Sequence, residues 1–285
     1  MDILFCVMHR LSESQCTSWA KLHQRKVRKN LGQCLVEGHR SVTQVLQNGQ
    51  ISVHHIIVSM DEVEDPSSQL VPSLREMGVP AESILLATPT QCKKLSDTPS
   101  PQTVFALVDI PEEWDVARGF ESLAAQSQSL VLLLDDIQDP GNMGTILRSA
   151  IWFGVDAVLC TPGCADPWNS KVVRSLAGAL GVISIGQIPY EWVESIPESH
   201  VLCGLDMAKE AIPLHSVDWP SHTILAIGNE GNGLSDTTRR ALETQIHIPP
   251  ARGSKPEESS HTPGVESLNA AIATSIALYG YRQKP

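Results

Sequence analysis

At 285 residues the chain is long enough for two domains with separate cores. Hydrophobic residues make up 42% of the sequence and charged residues 19%, which is typical of globular proteins and excludes a disordered or collagen-like chain. The net charge of −11 argues against a protein that is basic throughout.

Membrane and metal roles are not expected from the sequence. The longest apolar runs are far shorter than a membrane span, and the first eight residues lack the basic start of a signal peptide. We therefore expect a ragged terminus or a first strand there and a cytoplasmic protein with no membrane partner. The seven cysteines form no CxxC pair, which predicts buried thiols. Cys160 and Cys164 lack further ligands nearby, so no zinc site is expected.

The N-terminal part alternates helical and strand patterns, which predicts a small α/β domain over residues 1–110. The predicted helices are 18–30, 39–47, 68–77 and 89–95. The predicted strands are 34–38, 53–58, 83–86 and 104–108. Residues 111–128 show no strong strand pattern and are interpreted as a linker.

The C-terminal part, residues 129–285, repeats apolar strand and helix, the pattern of a mostly parallel α/β sheet covered on both faces. The predicted strands are 130–134, 157–160, 182–184, 201–204, 223–227 and 245–248. The predicted helices are 144–153, 170–180, 235–242 and 267–281. Ligands of such sheets bind at the carboxyl ends of the strands, so the loops that follow the strands are the candidate sites.

The first candidate loop follows the strand that ends at Leu134. Pro140-Gly141 predicts a turn, and Asn142 is placed to cap a helix that begins near Gly144. A plain N-cap would be a sufficient explanation of Asn142 alone. An arginine in an otherwise apolar helix, Arg148, instead suggests a partly buried guanidinium that binds an anion.

The second and third candidate segments follow later strands. Three glycines after the strand 223–227 permit close backbone approach to a ligand, although a simple turn would explain them too. Their spacing is not GxGxxG and the loop has no P-loop lysine, which disfavours a dinucleotide or a nucleoside triphosphate. In the third segment Ser267 is placed to cap the last helix, with Asn269 in its first turn.

Taken together, these segments resemble a known set of motifs. The run Asn142-x-Gly144-x3-Arg148, the loop Gly228-Asn229-Glu230-Gly231-x-Gly233-Leu234-Ser235, and Ile248-Pro249 followed by Glu266-Ser267-Leu268-Asn269 look like motifs 1, 2 and 3 of the SpoU/TrmH branch of the SPOUT methyltransferases. Residues 171–179 also resemble the family's helix that ends in a Ser/Ala-Gly-Ala segment.

The resemblance implies 2′-O-methylation of a ribose in structured RNA with S-adenosylmethionine, by a homodimer with a SPOUT-type trefoil knot in the C-terminal domain. It places five residues around the reacting hydroxyl: Asn142, Arg148, Glu230, Ser267 and Asn269. It assigns cofactor contacts to Ile227, Gly228, Gly233, Ile248 and Leu268. No metal is implied, and the group that accepts the hydroxyl proton stays open.

The N-terminal half carries a second resemblance. Residues 21–28, 36–38 and 95–102 look like the L30e-like RNA substrate-binding domain of many such enzymes. The implied RNA contacts are the cations of a basic run: Lys21, Arg25, Lys26, Arg28 and Lys29. Without the resemblance, the same run would be interpreted as a solvated helix face. Ribosomal RNA is favoured over transfer RNA.

Two departures from the family pattern remove none of the named functional residues, but the first of them, an insertion, can alter substrate entry or the closure of the cofactor site. Ala251–Thr262 looks like an insertion before the third motif, and Ala270-Ala271 stand where Val-Ser is common. Two alternatives remain: an RNA- or ribosome-binding protein that has lost catalysis, and a SPOUT enzyme that acts on a base nitrogen. The intact motif residues argue against the first, and the Asn142/Arg148 motif argues against the second.

Overall fold

The computed structural model describes residues 8–208, 210–250 and 267–283. The predicted insertion Ala251–Thr262, Glu266 of the third motif and the first seven residues lie outside the described residues. The chain divides into two compact units. One is formed by Met1–Glu112 and Asp166–Val182, and the other by Glu113–Ala165 and Ile183–Pro285.

The first unit is a five-stranded mixed sheet with helices around it, in the strand order β1-β4-β3-β5-β2. Its strands are β1 (His9–Arg10), β2 (Gln33–Glu37), β3 (Val53–Ser59), β4 (Ile84–Ala87) and β5 (Val104–Asp109). Its helices are α1 (Glu13–Ala20), α2 (Arg25–Leu31), α3 (His39–Asn48), α4 (Met60–Glu64), α5 (Leu70–Glu76) and α6 (Pro89–Leu95). Strand β5 is antiparallel to both of its neighbours. One face of the sheet packs on a core that includes Trp19 and Phe105.

The continuous helix predicted over residues 18–30 is wrong. Helix α1 starts earlier, because Ser12 and Gln15 form a capping box, and it is followed by the 3-10 turn Lys21–His23. Gln24 is extended, with ψ of 124°, and α2 begins after it. The Arg28 guanidinium binds the carbonyl oxygens of Leu22 and His23, which stabilises this break.

The second unit contains a seven-stranded sheet in the order β10-β12-β9-β11-β6-β7-β8, and every paired strand in it is parallel. Its strands are β6 (Ser129–Leu134), β7 (Ala157–Cys160), β8 (Ser184–Gln187), β9 (Val201–Leu205), β10 (Ile212–Pro213), β11 (His222–Ile227) and β12 (Thr244–His247). The helices after residue 112 are α7 (Val116–Ala124), α8 (Pro140–Trp152), α9 (Ser170–Ser175), α10 (Tyr190–Val193), α11 (Asp236–Ala241) and α12 (Ala270–Arg282). Of these, α9 lies in the segment that belongs to the first unit.

Two features of the chain's organisation differ from the sequence-based expectation. The stretch predicted as a linker contains α7, whose Phe120 and Leu123 are buried in the core of the second unit. The segment 166–182, placed by the sequence in the C-terminal domain, belongs to the first unit, where the Asn48 amide donates to the Gly178 carbonyl at 3.1 Å. A Cβ on Gly178 would lie 2.5 Å from the Ser41 carbonyl oxygen, so this close approach requires glycine. Strand β8 starts at Ser184, two residues later than predicted.

A buried polar cluster lies at the amino ends of β6 and β11. The Ser129 hydroxyl is hydrogen-bonded to His200 Nε2 and to His222 Nδ1, both at 2.9 Å. Burial, and then the neighbouring His222, lower the pKa of His200 to about 4. The His200 ring is therefore neutral near pH 7.

No helix among the described residues combines the length and apolar character needed to cross a membrane. The six cysteines at positions 16, 34, 92, 160, 164 and 203 are buried, as predicted.

Candidate active site

The first loop joins β6 to α8 and holds Asn142 inside the helix. Helix α8 begins at Pro140, and its N-cap is Asp139, whose carboxylate accepts the Asn142 backbone N–H at 2.8 Å. The prediction that Asn142 caps the helix is therefore wrong. Because the cap is taken by Asp139, the Asn142 side chain is free to point away from the helix end toward other loops.

The second loop joins β11 to α11 and is closed by its own backbone. Asn229 and Gly233 exchange two backbone hydrogen bonds of 2.9 Å, and the Asn229 side-chain oxygen accepts the N–H groups of Gly231 and Asn232. A Cβ on Gly228 would lie 2.2 Å from the Gly233 carbonyl carbon. The glycine at 228 is therefore required by the closure of the loop itself, and not only by the room that a ligand needs.

The third segment leads into α12. Asn269 is the N-cap of this helix, and its side-chain oxygen accepts the N–H groups of Ala271 and Ile272 at 3.0 and 3.3 Å. The prediction that Ser267 caps the helix is wrong, because the helix begins three residues later, at Ala270. Ser267 is exposed in the turn before the cap.

Three of the predicted catalytic residues form one hydrogen-bonded chain. The Asn142 amide donates to the Glu230 carboxylate, and the Asn269 amide donates to the Asn142 side-chain oxygen at 2.9 Å. One residue comes from each of the three segments, which are far apart in the sequence. The structure thus brings the three motifs together at the carboxyl edge of the parallel sheet, where ligands of α/β sheets bind.

Arg148 does not join this chain. It lies six residues after Asn142, about 240° further around the helix axis, and its side chain is exposed. Within the described residues it has no hydrogen-bond or ion-pair partner. The expectation of a partly buried guanidinium is therefore wrong. In a single copy of the chain, Arg148 and the Asn142–Glu230–Asn269 chain face different directions.

Sequence reasoning missed the residues that hold the first two loops together. Asp135 is fully buried, and its carboxylate accepts the Ser235 backbone N–H at 2.8 Å. Asp136 adopts a left-handed φ of 59°, and its carbonyl accepts the Asn229 side-chain amide at 2.9 Å. Two acidic residues directly after an apolar strand were the available signal, but the sequence alone could not separate them from ordinary solvated carboxylates.

The predicted cofactor residues lie at or beyond the ends of two strands. Ile227 is the buried last residue of β11, and Gly228 and Gly233 form the neck of the second loop. Ile248 follows β12 and is half-buried, whereas Leu268 is 46% exposed. The described residues contain no group of three or more His, Cys, Asp or Glu side chains arranged to hold a metal ion.

The family model for SpoU rRNA methylases matches residues 129–279, which is more than half of the chain. The chain belongs to the SpoU rRNA methylase family. An uncharacterised tRNA/rRNA methyltransferase of Synechocystis is 32% identical over 93% of this chain and 89% of its own length. The 23S rRNA (guanosine(2553)-2′-O)-methyltransferase RlmP of Bacillus subtilis is 30% identical over 93% of this chain and 94% of its own length.

A solved SpoU structure agrees with this assignment over nearly the whole chain. The SpoU methyltransferase AviRb from Streptomyces viridochromogenes, in complex with the cofactor AdoMet, superposes with a TM-score of 0.76 at 26% identity. The alignment covers 95% of this chain and 98% of AviRb. The fold expected from the sequence, an α/β protein with a large parallel sheet and a smaller N-terminal α/β domain, is confirmed.

This SpoU protein also carries a substrate-binding domain, since residues 13–106 match the MRM3-like substrate binding domain. Within that domain Arg28 is only 3% exposed and forms an ion pair with Asp166. Its assignment as a direct RNA contact is wrong, because its guanidinium is buried and is already bonded to groups of the protein. The four other cations of the basic run are exposed, and we call them the basic segment: Lys21, Arg25, Lys26 and Lys29.

Proposed function

We propose that the protein transfers a methyl group from S-adenosylmethionine to a ribose 2′-hydroxyl of structured RNA, with ribosomal RNA favoured over transfer RNA, in the cytoplasm. The observation that carries the proposal is the Asn142–Glu230–Asn269 chain, which joins the three motifs in one place. RlmP and related relatives are named as rRNA 2′-O-methyltransferases, and AviRb was solved with AdoMet.

Two of the predicted cofactor residues have apolar side chains that can contact the adenine ring of S-adenosylmethionine. The exposed Leu268 side chain and the half-buried Ile248 offer apolar surface for an aromatic ring. We propose that the backbone at Ile227, Gly228 and Gly233 supplies polar contacts. S-adenosylmethionine would supply an electrophilic methyl group on its sulfonium.

The side chains of the protein have to orient the ribose hydroxyl, which is a weak nucleophile, and to stabilise the negative charge that develops on it. An amide held at both ends, like that of Asn142, is a fixed hydrogen-bonding group that loses little entropy when a ribose binds. An arginine can hold a phosphate and stabilise developing charge on the hydroxyl oxygen, and it is a poor base because it stays protonated. We assign this role to Arg148, and we place Ser267 at the edge of the site.

The proposed homodimer explains why Arg148 faces away from the Asn142–Glu230–Asn269 chain of its own copy. Three apolar side chains of α12 are exposed at helical spacing: Ile272 at 50%, Ile276 at 37% and Tyr279 at 57%. Helix α12 packs on α8, where Ser149 and Ser275 are hydrogen-bonded at 2.8 Å and Trp152 is 83% exposed. We propose that α8 and α12 of two copies pack together around a two-fold axis, and that Arg148 of one copy serves the site of the other.

RNA binding is assigned to the basic segment. Four exposed cations within nine residues give a local positive surface on a chain whose net charge is −11. An acidic total limits non-specific affinity, whereas a local cluster still provides contacts to phosphates.

The experiment that tests the function is a map of 2′-O-methyl groups across all stable RNAs in a strain that lacks the gene. We expect one ribosomal position to lose its methyl group, and expression of the wild-type protein to restore it. Asn142→Ala should fail to restore it, whereas Asn232→Ala, an exposed change at the variable position of the second loop, should succeed.

The alternative function is an RNA- or ribosome-binding protein without catalysis. It predicts an unchanged methylation map and full complementation of any growth defect by Asn142→Ala. Unchanged methylation in the deletion strain, together with no transfer by the purified protein to naked or assembled ribosomal RNA, would refute the enzymatic proposal.

A further inference from the structure

Arg28 is the one cation of the basic run that points inward. Its side chain is buried. One terminal nitrogen donates to the carbonyl oxygens of Leu22 and His23 at 2.6 and 2.9 Å, and the other donates to the Asp166 carboxylate. The same guanidinium therefore holds the turn before α2, the helix that carries most of the basic segment, and a residue 138 positions later in the chain.

Asp166 is held on both of its oxygens. The oxygen that does not meet Arg28 accepts the Trp168 backbone N–H at 3.0 Å, and the Asp166 carbonyl accepts the Asn169 N–H, also at 3.0 Å. With a side chain only 11% exposed, Asp166 fixes the turn that precedes α9. Because Arg28 lies on α2 and binds Asp166, a shift of α2 would have to break that bond or move the turn, since close-packed groups do not compress.

The residues immediately before Asp166 are bound to the first loop of the active site. Ala165 donates its N–H to the Ile137 carbonyl at 2.8 Å, and the Cys164 thiol meets the Leu134 carbonyl at 3.1 Å. The Thr161 hydroxyl accepts the Asp136 N–H at 2.9 Å. The short segment 161–165 thus lies along the loop that leads into α8 and Asn142.

We propose that Arg28 is a positioning residue, which couples RNA bound on the basic segment to the first loop of the active site through Asp166 and the adjoining Ala165. The proposal rests on the proposed RNA methyltransferase function. It explains why an arginine stands at this place: a planar fork can bind two carbonyls and a carboxylate at once, and an ammonium group cannot do so in the same geometry.

The test compares Asp166→Asn with the wild-type protein under single-turnover conditions, with RNA and S-adenosylmethionine both saturating. Asparagine keeps the size of the side chain but removes the charge that Arg28 binds. We expect the rate of methyl transfer to fall by at least tenfold. The Kd for RNA, its salt dependence and the Kd for the cofactor should each stay within twofold of the wild-type values. Arg28→Lys should show the same loss of rate and the same unchanged affinities. The double variant, Arg28→Lys with Asp166→Asn, should transfer the methyl group no more slowly than the slower of the two single variants.

Hydrogen exchange distinguishes the proposed coupling from a merely structural role of Arg28 and Asp166. RNA should slow amide exchange in the peptide that contains Ala165 and in the peptide that contains Ile137 of the wild-type protein. It should leave exchange in both peptides unchanged in Asp166→Asn. Protection that persists in Asp166→Asn would overturn the coupling.

Leu74→Ala is the control for lost stability, because Leu74 is fully buried in the first unit and takes no part in this link. At temperatures where both variants are folded, Leu74→Ala should keep the wild-type rate. An equal loss of rate in Leu74→Ala, or wild-type rates in both Asp166→Asn and Arg28→Lys, would overturn the proposal. A variant that does not fold is replaced by the other member of the pair. A wild-type protein that transfers no methyl group would instead refute the proposed function.

Discussion

Replacing Arg148 by alanine separates catalysis from stability in this protein. The side chain is exposed and has no partner within the described residues, so the free energy of unfolding should change by less than about 0.5 kcal/mol. Methyl transfer should fall by ~10² to 10³-fold, the cost of losing one group that stabilises charge in a transition state. Arg118→Ala is the control, because Arg118 is exposed, forms only a surface ion pair with Asp115 among the described residues, and lies far from the motifs in the sequence.

The same variant tests whether the active site is shared between two copies. If Arg148 of one protomer serves the site that contains Asn142 of the other, a heterodimer of Arg148→Ala with Asn142→Ala has one intact site. Random mixing of the two inactive proteins should then restore about a quarter of the wild-type activity. The assay is methyl transfer after subunit exchange, with differently tagged protomers to measure the fraction of heterodimer.

Three results would refute this reasoning. Mixed dimers that form but stay inactive would show that Arg148 acts within its own chain or on a different group. Full activity of Arg148→Ala in a stable protein would remove Arg148 from the reaction altogether. A fall in the melting temperature in proportion to the lost activity would assign Arg148 a structural role instead.

Four further results are expected. Gly228→Ala should reduce the affinity for S-adenosylmethionine more than ~10-fold by calorimetry, because its Cβ would lie 2.2 Å from the Gly233 carbonyl carbon, whereas Gly231→Ala has room and should bind normally. Alanine at all four positions of the basic segment should reduce the salt slope of RNA binding by up to ~3 to 4 units and leave cofactor affinity unchanged; an unchanged slope would favour a solvated helix face. Ile272→Glu should convert the dimer into a monomer by light scattering, and a wild-type monomer at micromolar concentration would contradict the dimer proposal. Because the pKa of His200 is lowered to about 4, protons bind more tightly to the unfolded chain, so stability should be fully present above about pH 6.5 and should fall by up to about 3 kcal/mol as the pH drops to 4. His200→Gln should flatten that decline in denaturant titrations.

The sequence determined the class of the fold, the order of most elements and the identity of the motifs. Continuous apolar strands such as Leu130–Leu134 predict a buried parallel sheet, because both of their faces need apolar side chains. The motif residues Asn142, Glu230 and Asn269 were identified as well, although only the resemblance connected them. The trefoil knot stays a prediction, since strand order and register do not describe how the chain threads.

The tertiary structure decided which polar residues face each other and which are buried. From the sequence, Arg28 was predicted to be one of several exposed cations of a basic run, and Arg148 was predicted to be a partly buried arginine. In the structure the two are reversed: Arg28 is buried against Asp166, whereas Arg148 is exposed. The reason is that burial of a charge depends on partners contributed by distant segments, and no local pattern encodes where those segments return. The assignment of residues 166–182 to the first unit has the same origin, because it rests on contacts such as Asn48 with Gly178.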